Sequence, residues 1–96
     1  MSEFLVEVYL SPTAAAGSIP RPEDVSRAAD QLTEEGQRVQ LLQSVFVPQD
    51  ETCFFLFEAQ SKDVVVEAAR RCGLRFERLV EAVSNWTPPP KVDLDS

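Results

Sequence analysis

The clearest indication of the architecture lies in residues 39–59, VQLLQSVFVPQDETCFFLFEA. This segment holds two apolar runs, Val39 to Val47 and Thr52 to Ala59. The first is rich in Val and the second in Phe, and both residue types favour β-strands. The four residues between the runs, Pro48 to Glu51, are polar and include a proline, as is typical of a turn. The short spacing therefore predicts a β-hairpin.

An amphipathic helix is predicted on each side of this hairpin. Pro22 suits the first position of the preceding helix, and Gly36 suits the position just after its end. Ser61 is a suitable N-cap for the following helix, which should run to Arg71 and end at Gly73. The two helices share one helical spacing of small and apolar residues, with alanines in the same places: Val25, Ala28, Ala29 and Leu32; Val65, Ala68, Ala69 and Cys72.

Two outer segments complete the predicted sheet. Glu3 to Leu10 alternates in the period of a strand, and Phe76 to Ser84 provides a fourth strand. The resulting order βαββαβ predicts an α+β, ferredoxin-like domain: a four-stranded antiparallel sheet with two helices on one face. We expect this domain to span residues 1–86, and the proline-rich segment 87–96 to form a flexible tail.

Composition excludes several classes of partner. The chain of 96 residues has a net charge of −7, which argues against nucleic acid and anionic membranes. It shows no secretory leader and no membrane-spanning apolar run, so a cytoplasmic location is expected. Cys53 and Cys72 are then expected to be reduced, apolar side chains. The chain has no His, which removes the usual general base and the commonest ligand for transition metals.

The sheet face away from the helices is expected to be apolar. If Val6 and Val8 face the helices, the strand period directs a second set of residues outward. That set is Leu5, Glu7, Tyr9, Leu42, Ser44, Phe46, Phe54, Leu56, Glu58, Leu79, Glu81 and Val83. Soluble monomers seldom expose so large an apolar patch, so we expect a homodimer with two such faces packed together.

The polar members of this set are the candidate ligand-binding residues: Glu7, Tyr9, Ser44, Glu58 and Glu81. Carboxylates inside an apolar interface must be paired, protonated or bound to a cation. Glu7 and Glu58 are therefore the candidate ligands of a divalent metal ion. In the alternative interpretation the glutamates lie at the rim, solvated or paired with Arg38, Arg75 or Arg78. No catalytic residue is identified.

Three segments resemble a known group: Phe4 to Glu7 with Tyr9-Leu10, Ser44 to Ala59, and Val65 to Val83. They are similar to the small nickel-binding, ferredoxin-like bacterial proteins of otherwise unassigned role. The resemblance implies a homodimer with a metal ion at or near the subunit junction. Nickel(II) favours imidazole, which this chain lacks. Of the remaining donors, Glu, Asp, Cys and backbone oxygen, the oxygen donors suit harder cations better.

Three functions follow as hypotheses. The first is a homodimeric binding protein that holds a divalent cation or a small ligand at the sheet junction. The second is a small-molecule isomerase or cofactor-free oxygenase of the dimeric α/β-barrel type, with Glu7 or Glu58 carrying a proton. The third is an interaction protein that contacts another chain through its tail and acidic surface.

Overall fold

The computed structural model describes residues 1–9 and 20–83. Its elements are β1 (Ser2–Tyr9), α1 (Pro22–Glu34), β2 (Val39–Val47), a 3-10 turn (Pro48–Asp50), β3 (Thr52–Ala59), α2 (Lys62–Cys72) and β4 (Arg78–Ala82). Residues 10–19, the predicted domain limit at residue 86 and the predicted tail 87–96 lie outside the described residues. Within the described ranges, no helix combines the length and apolar character needed to cross a membrane.

The sheet has the order β2-β3-β1-β4, and all three strand pairs are antiparallel. This order and the βαββαβ sequence of elements confirm the predicted ferredoxin-like α+β fold. β1 lies in the centre, with Leu5 opposite Leu56 on β3 and opposite Val80 on β4. β2 and β4 form the two edges of the sheet.

The core lies between the sheet and the two helices. Phe4, Val6 and Val8 alternate into it from β1. β3 contributes Phe55 and Phe57, which are 1% and 0% exposed. The apolar residues of both predicted helix stripes are buried there apart from Cys72, which is partly buried and packs against the core: Val25, Ala28, Ala29 and Leu32 from α1; Val65, Ala68 and Ala69 from α2.

The two helices end as the sequence predicts, since Gly36 and Gly73 both take left-handed backbone conformations, but the predicted Ser61 cap does not form. Gly73 adopts φ 74°, a left-handed conformation that side-chain-bearing residues rarely accept. This turn lets the Leu74 amide donate to the Ala69 carbonyl oxygen at 2.8 Å, which closes α2. Ser61 occupies the N-cap position of α2, yet its hydroxyl makes no capping hydrogen bond.

Thr33 fixes the path from α1 into β2. Its hydroxyl donates to the Val39 carbonyl oxygen at 2.9 Å, and its oxygen accepts the Val39 amide at 3.2 Å. The side chain therefore satisfies both backbone groups at the start of an edge strand, where the sheet offers a partner on one side only.

Four charged side chains tie the ends of the two helices together. Arg71 on α2 makes a two-pronged salt bridge to Glu35, just after α1, with nitrogen–oxygen distances of 2.7 and 2.8 Å. Arg71 also donates to Glu67 at 2.9 Å, and Arg70 contacts the same carboxylate. The hydrogen bonds from Arg70 and then Arg71 lower the pKa of Glu67 from 4.5 to about 2. Arg71 likewise lowers the pKa of Glu35.

Acid should weaken this cluster in a defined pH window. A carboxyl group whose pKa is lower in the folded state stabilises the fold fully at pH values above its unfolded-state pKa. That stabilisation is lost as the pH falls through the folded-state pKa. For Glu67 the window runs from 4.5 down to about 2. We expect Glu67→Gln to melt below the wild type at neutral pH and to converge with it across that window, measured by circular dichroism.

The matched control is Glu34→Gln, because Glu34 is exposed on α1 and forms no salt bridge with a described residue. Its difference in melting temperature from the wild type should stay small at every pH. A Glu67→Gln difference that does not shrink on acidification would contradict the assignment.

Candidate functional site

A band of apolar side chains crosses the sheet face that the helices leave uncovered, which we call the outer face. The register places these residues in two neighbouring rows that run from edge to edge. The apolar band consists of Val45, Phe54, Leu56, Leu5 and Val80. Val45 is 43% exposed and the other four are half-buried. In a single chain this band therefore faces solvent.

Glu7 and Tyr9 form a polar pair beside the apolar band. Both lie on β1 and face outward, and Glu7 stands directly opposite Phe54 on β3. The Tyr9 hydroxyl donates a hydrogen bond to Oε1 of Glu7 at 3.0 Å. This bond and the negative charge of Glu7 raise the pKa of Tyr9. Tyr9 therefore stays protonated and holds one carboxylate oxygen. No described residue donates to the other oxygen, which can accept a bond from a ligand.

Glu58 faces outward as predicted but lies away from this pair. It stands opposite Glu3, four residues along β1 from Glu7. That offset corresponds to about 13 Å along the strand. Glu7 and Glu58 of one chain are thus too far apart to share a metal ion. Within residues 1–9 and 20–83, no three Asp, Glu or Cys side chains are grouped closely enough to hold one.

The alternative interpretation of the glutamates is only partly met. Glu7 and Glu58 are both half-buried on the outer face. Arg78 lies opposite Glu7 in the β1–β4 register. In the part of the chain that the structure describes, neither glutamate forms a salt bridge with an arginine. Their carboxylates therefore depend on solvent and local hydrogen bonds.

The prediction that Ser44 and Phe46 face outward was wrong. A β-bulge at Leu42 lets Leu41 and Gln43 stand opposite the consecutive residues Phe57 and Leu56. The extra residue reverses the facing of everything after it, because side chains alternate with a period of two. Ser44 consequently lies opposite the core residue Phe55 and faces the helix side. Val45 takes the outward position instead.

The predicted facing of β4 was also wrong. Leu79 stands opposite Val6, is 8% exposed and belongs to the core. Glu81 stands opposite Phe4 and therefore faces the helix side, where it is exposed near the end of the strand. Arg78 and Val80 occupy the outward positions. β4 is short and has charged and apolar residues on both faces. Its sequence pattern therefore does not show which residues face the helices and which face outward.

Of the five candidate residues, the structure brings Glu7 and Tyr9 together on the outer face. Glu58 shares that face at a distance, and Ser44 and Glu81 lie on the other side of the sheet. Arg78, Val45 and Val80 also lie on the outer face, where the sequence pattern did not predict them. For Val45 no sequence signal would have sufficed, since its facing depends on the bulge.

Comparisons with known proteins give the fold and no more. No family model and no curated protein matches the chain. Among solved structures it is similar to SCO4226 from Streptomyces coelicolor A3(2), with 20% sequence identity and a TM-score of 0.55. The match covers 84% of this chain and 95% of the other. At that identity the likeness supports the ferredoxin-like fold independently of the element order.

Proposed function

We propose that the protein is a binding protein that works as a homodimer, with two outer faces packed together around a small organic ligand. The observation that carries this proposal is the apolar band next to the Glu7–Tyr9 pair. Apolar area of this kind gains free energy when it leaves water, and a second copy supplies a surface of matching size. A ligand site at such a junction combines apolar walls with few polar groups.

The size of the outer face supports this assembly. The outer face is built on strands of 8, 9, 8 and 5 residues, with about 3.3 Å per residue and about 4.8 Å between strands. Its projected area is therefore about 500 Å², and the relief of the side chains makes the accessible area larger. A standard interface takes about 800 Å² from each partner. The outer face can supply most of that area without a contribution from the helices.

The chemistry of the pair defines the ligand. The free oxygen of Glu7 accepts a hydrogen bond, and its charge attracts a cationic or donor group. We therefore propose a small molecule with an apolar body and an amine, amidine or hydroxyl group. The resemblance to nickel-binding proteins adds a divalent cation as a second ligand class. Such a cation would need carboxylates from both subunits, since the described residues of one chain do not bring three of them together.

Two measurements test the proposal. Light scattering at micromolar concentration should give twice the chain mass of 10.7 kDa. A thermal-shift screen of amines, alcohols and divalent cations should then identify a ligand that raises the melting temperature by mass action.

Glu7→Gln should abolish that shift and leave the dimer intact. Glu81→Gln is the matched control, because Glu81 faces the other side of the sheet, and it should keep the shift. A monomeric wild type would refute the assembly, and a shift that survives Glu7→Gln would refute the site.

A further inference from the structure

β2 is an edge strand with no charged residue. Each of the other strands carries at least one: Glu3 and Glu7 on β1, Glu58 on β3, Arg78 and Glu81 on β4. The nine residues of β2 also contain no proline or glycine, and Val45 and Phe46 are 43% and 51% exposed. Proteins normally protect a free edge with charge, proline or a bulge. The described part of β2 has only the bulge at Leu42, so the segment after it, residues 43–47, is suited to accept another strand.

A groove runs beside this edge, on the helix side of the sheet. Two open cavities of about 560 and 340 Å³ lie between α1 and β2. They share Ser26, Asp30 and Leu41, so they form one continuous groove along the strand. A strand that adds to β2 would direct every second side chain into this groove, towards α1.

The helix wall of this groove is acidic. Glu23 and Asp30 line it, and its one helix cation, Arg27, is paired with Asp24 at 3.5 Å. At the other end of the groove Arg38 and Glu58 add one charge of each sign, so an excess of negative charge remains. A chain with net charge −7 adds a long-range negative field. If two copies paired through β2, their α1 helices would meet on one face of the joined sheet with acidic walls opposed. The charge therefore favours a cationic partner over a second copy.

We infer that the groove between α1 and β2 binds an extended, cationic peptide segment of a partner protein, which adds to β2 as a fifth strand. The backbone of the segment pairs with the free edge of β2. Its apolar side chains alternate with Lys or Arg, which lie against Glu23 and Asp30. The groove lies on the helix side of the sheet, and the apolar side chains of the added strand extend the outer face beyond Val45. The acidic residues of the groove are distinct from the Glu7–Tyr9 pair, so each site has its own test variants.

Fluorescence anisotropy of the full chain with synthetic peptides tests the inference. The probe is a labelled, end-blocked octapeptide of alternating Val and Lys, and it should bind in the micromolar range. Methylation of every second backbone nitrogen removes strand hydrogen bonds but keeps the charge, and should weaken binding at least about tenfold, which is about 1.4 kcal/mol. An alternating Val and Glu peptide should not bind. Equal binding of the methylated peptide would show simple charge attraction and overturn the inference.

Variants of the chain locate the site. Glu23→Gln and Asp30→Asn should each weaken binding of the Val–Lys peptide several-fold, whereas Glu34→Gln, a matched change on α1 outside the groove, should not. Amide hydrogen exchange should slow in β2 when the peptide is added. Slow exchange in β2 that depends on protein concentration without peptide would mean that a second copy fills the edge, and would overturn the inference. The Phe54→Glu variant should bind the Val–Lys peptide as tightly as the wild type does, which would show that the groove does not depend on the proposed dimer.

Discussion

Phe54→Glu should dissociate the proposed dimer, weakening association at least about 100-fold, equivalent to about 2.7 kcal/mol. Phe54 lies in the apolar band, between Glu7 on β1 and Val45 on β2. In a face-to-face assembly the substitution places one new carboxylate per subunit between two sheets. Neither charge would have a partner, and an unpaired charge in an apolar interface is costly. Light scattering at micromolar concentration should then report the mass of one chain.

The control for this prediction is Val66→Glu. Val66 is an apolar residue of α2 that is 39% exposed, so the change adds the same charge away from the outer face. It should leave the dimer intact. Circular dichroism should show that both variants remain folded, because Phe54 is only half-buried in the single chain. A Phe54→Glu protein that stays dimeric would place the interface elsewhere.

Phe57→Ala should lower the free energy of unfolding by about 3–5 kcal/mol. Phe57 is 0% exposed and stands in the core between Phe4 on β1 and Leu41 on β2. Removal of its ring forfeits the transfer free energy of the side chain and leaves a cavity that strands on both sides prevent from closing. Urea denaturation at one fixed protein concentration measures the change without a contribution from assembly.

Phe46→Ala is the matched control for the core substitution. The chemical change is the same, but Phe46 is 51% exposed at the far end of β2. It should cost about 1 kcal/mol or less, since much of the ring is already in water. If Phe57→Ala does not fold, Phe57→Leu should give a measurable, smaller loss. A loss below that of Phe46→Ala would contradict the placement of the core.

Local patterns were enough to predict the elements and their order. The helical stripes that contain Val25 and Val65, and the alternation around Val6, depend on residues close together in the chain. Tertiary packing then preserves them, because each stripe is the face that the core needs. The strand order followed from the element order, since a right-handed crossover leaves few other arrangements.

The candidate site was harder to predict, because one irregular residue in a strand reverses the predicted side-chain direction of every residue after it. Glu7 and Tyr9 were placed correctly because β1 alternates without interruption. On β2 a single extra residue, Leu42, turned Ser44 to the other side. Bulges leave no fixed signature in composition or periodicity. The groove between α1 and β2 could not be foreseen either, since it depends on how far the helix stands from the edge.

The central position of β1 has a consequence for biosynthesis. β1 leaves the ribosome first, yet its neighbours in the sheet come from the second half of the chain. Leu5 has no partner strand until Leu56 of β3 has been synthesised. Its second partner strand is complete only after Val80 of β4 has been synthesised. At about 5–20 residues per second, a nascent chain carries this apolar strand unpaired for several seconds. Of the four strands, the first to be synthesised is therefore the one that waits longest for its partners.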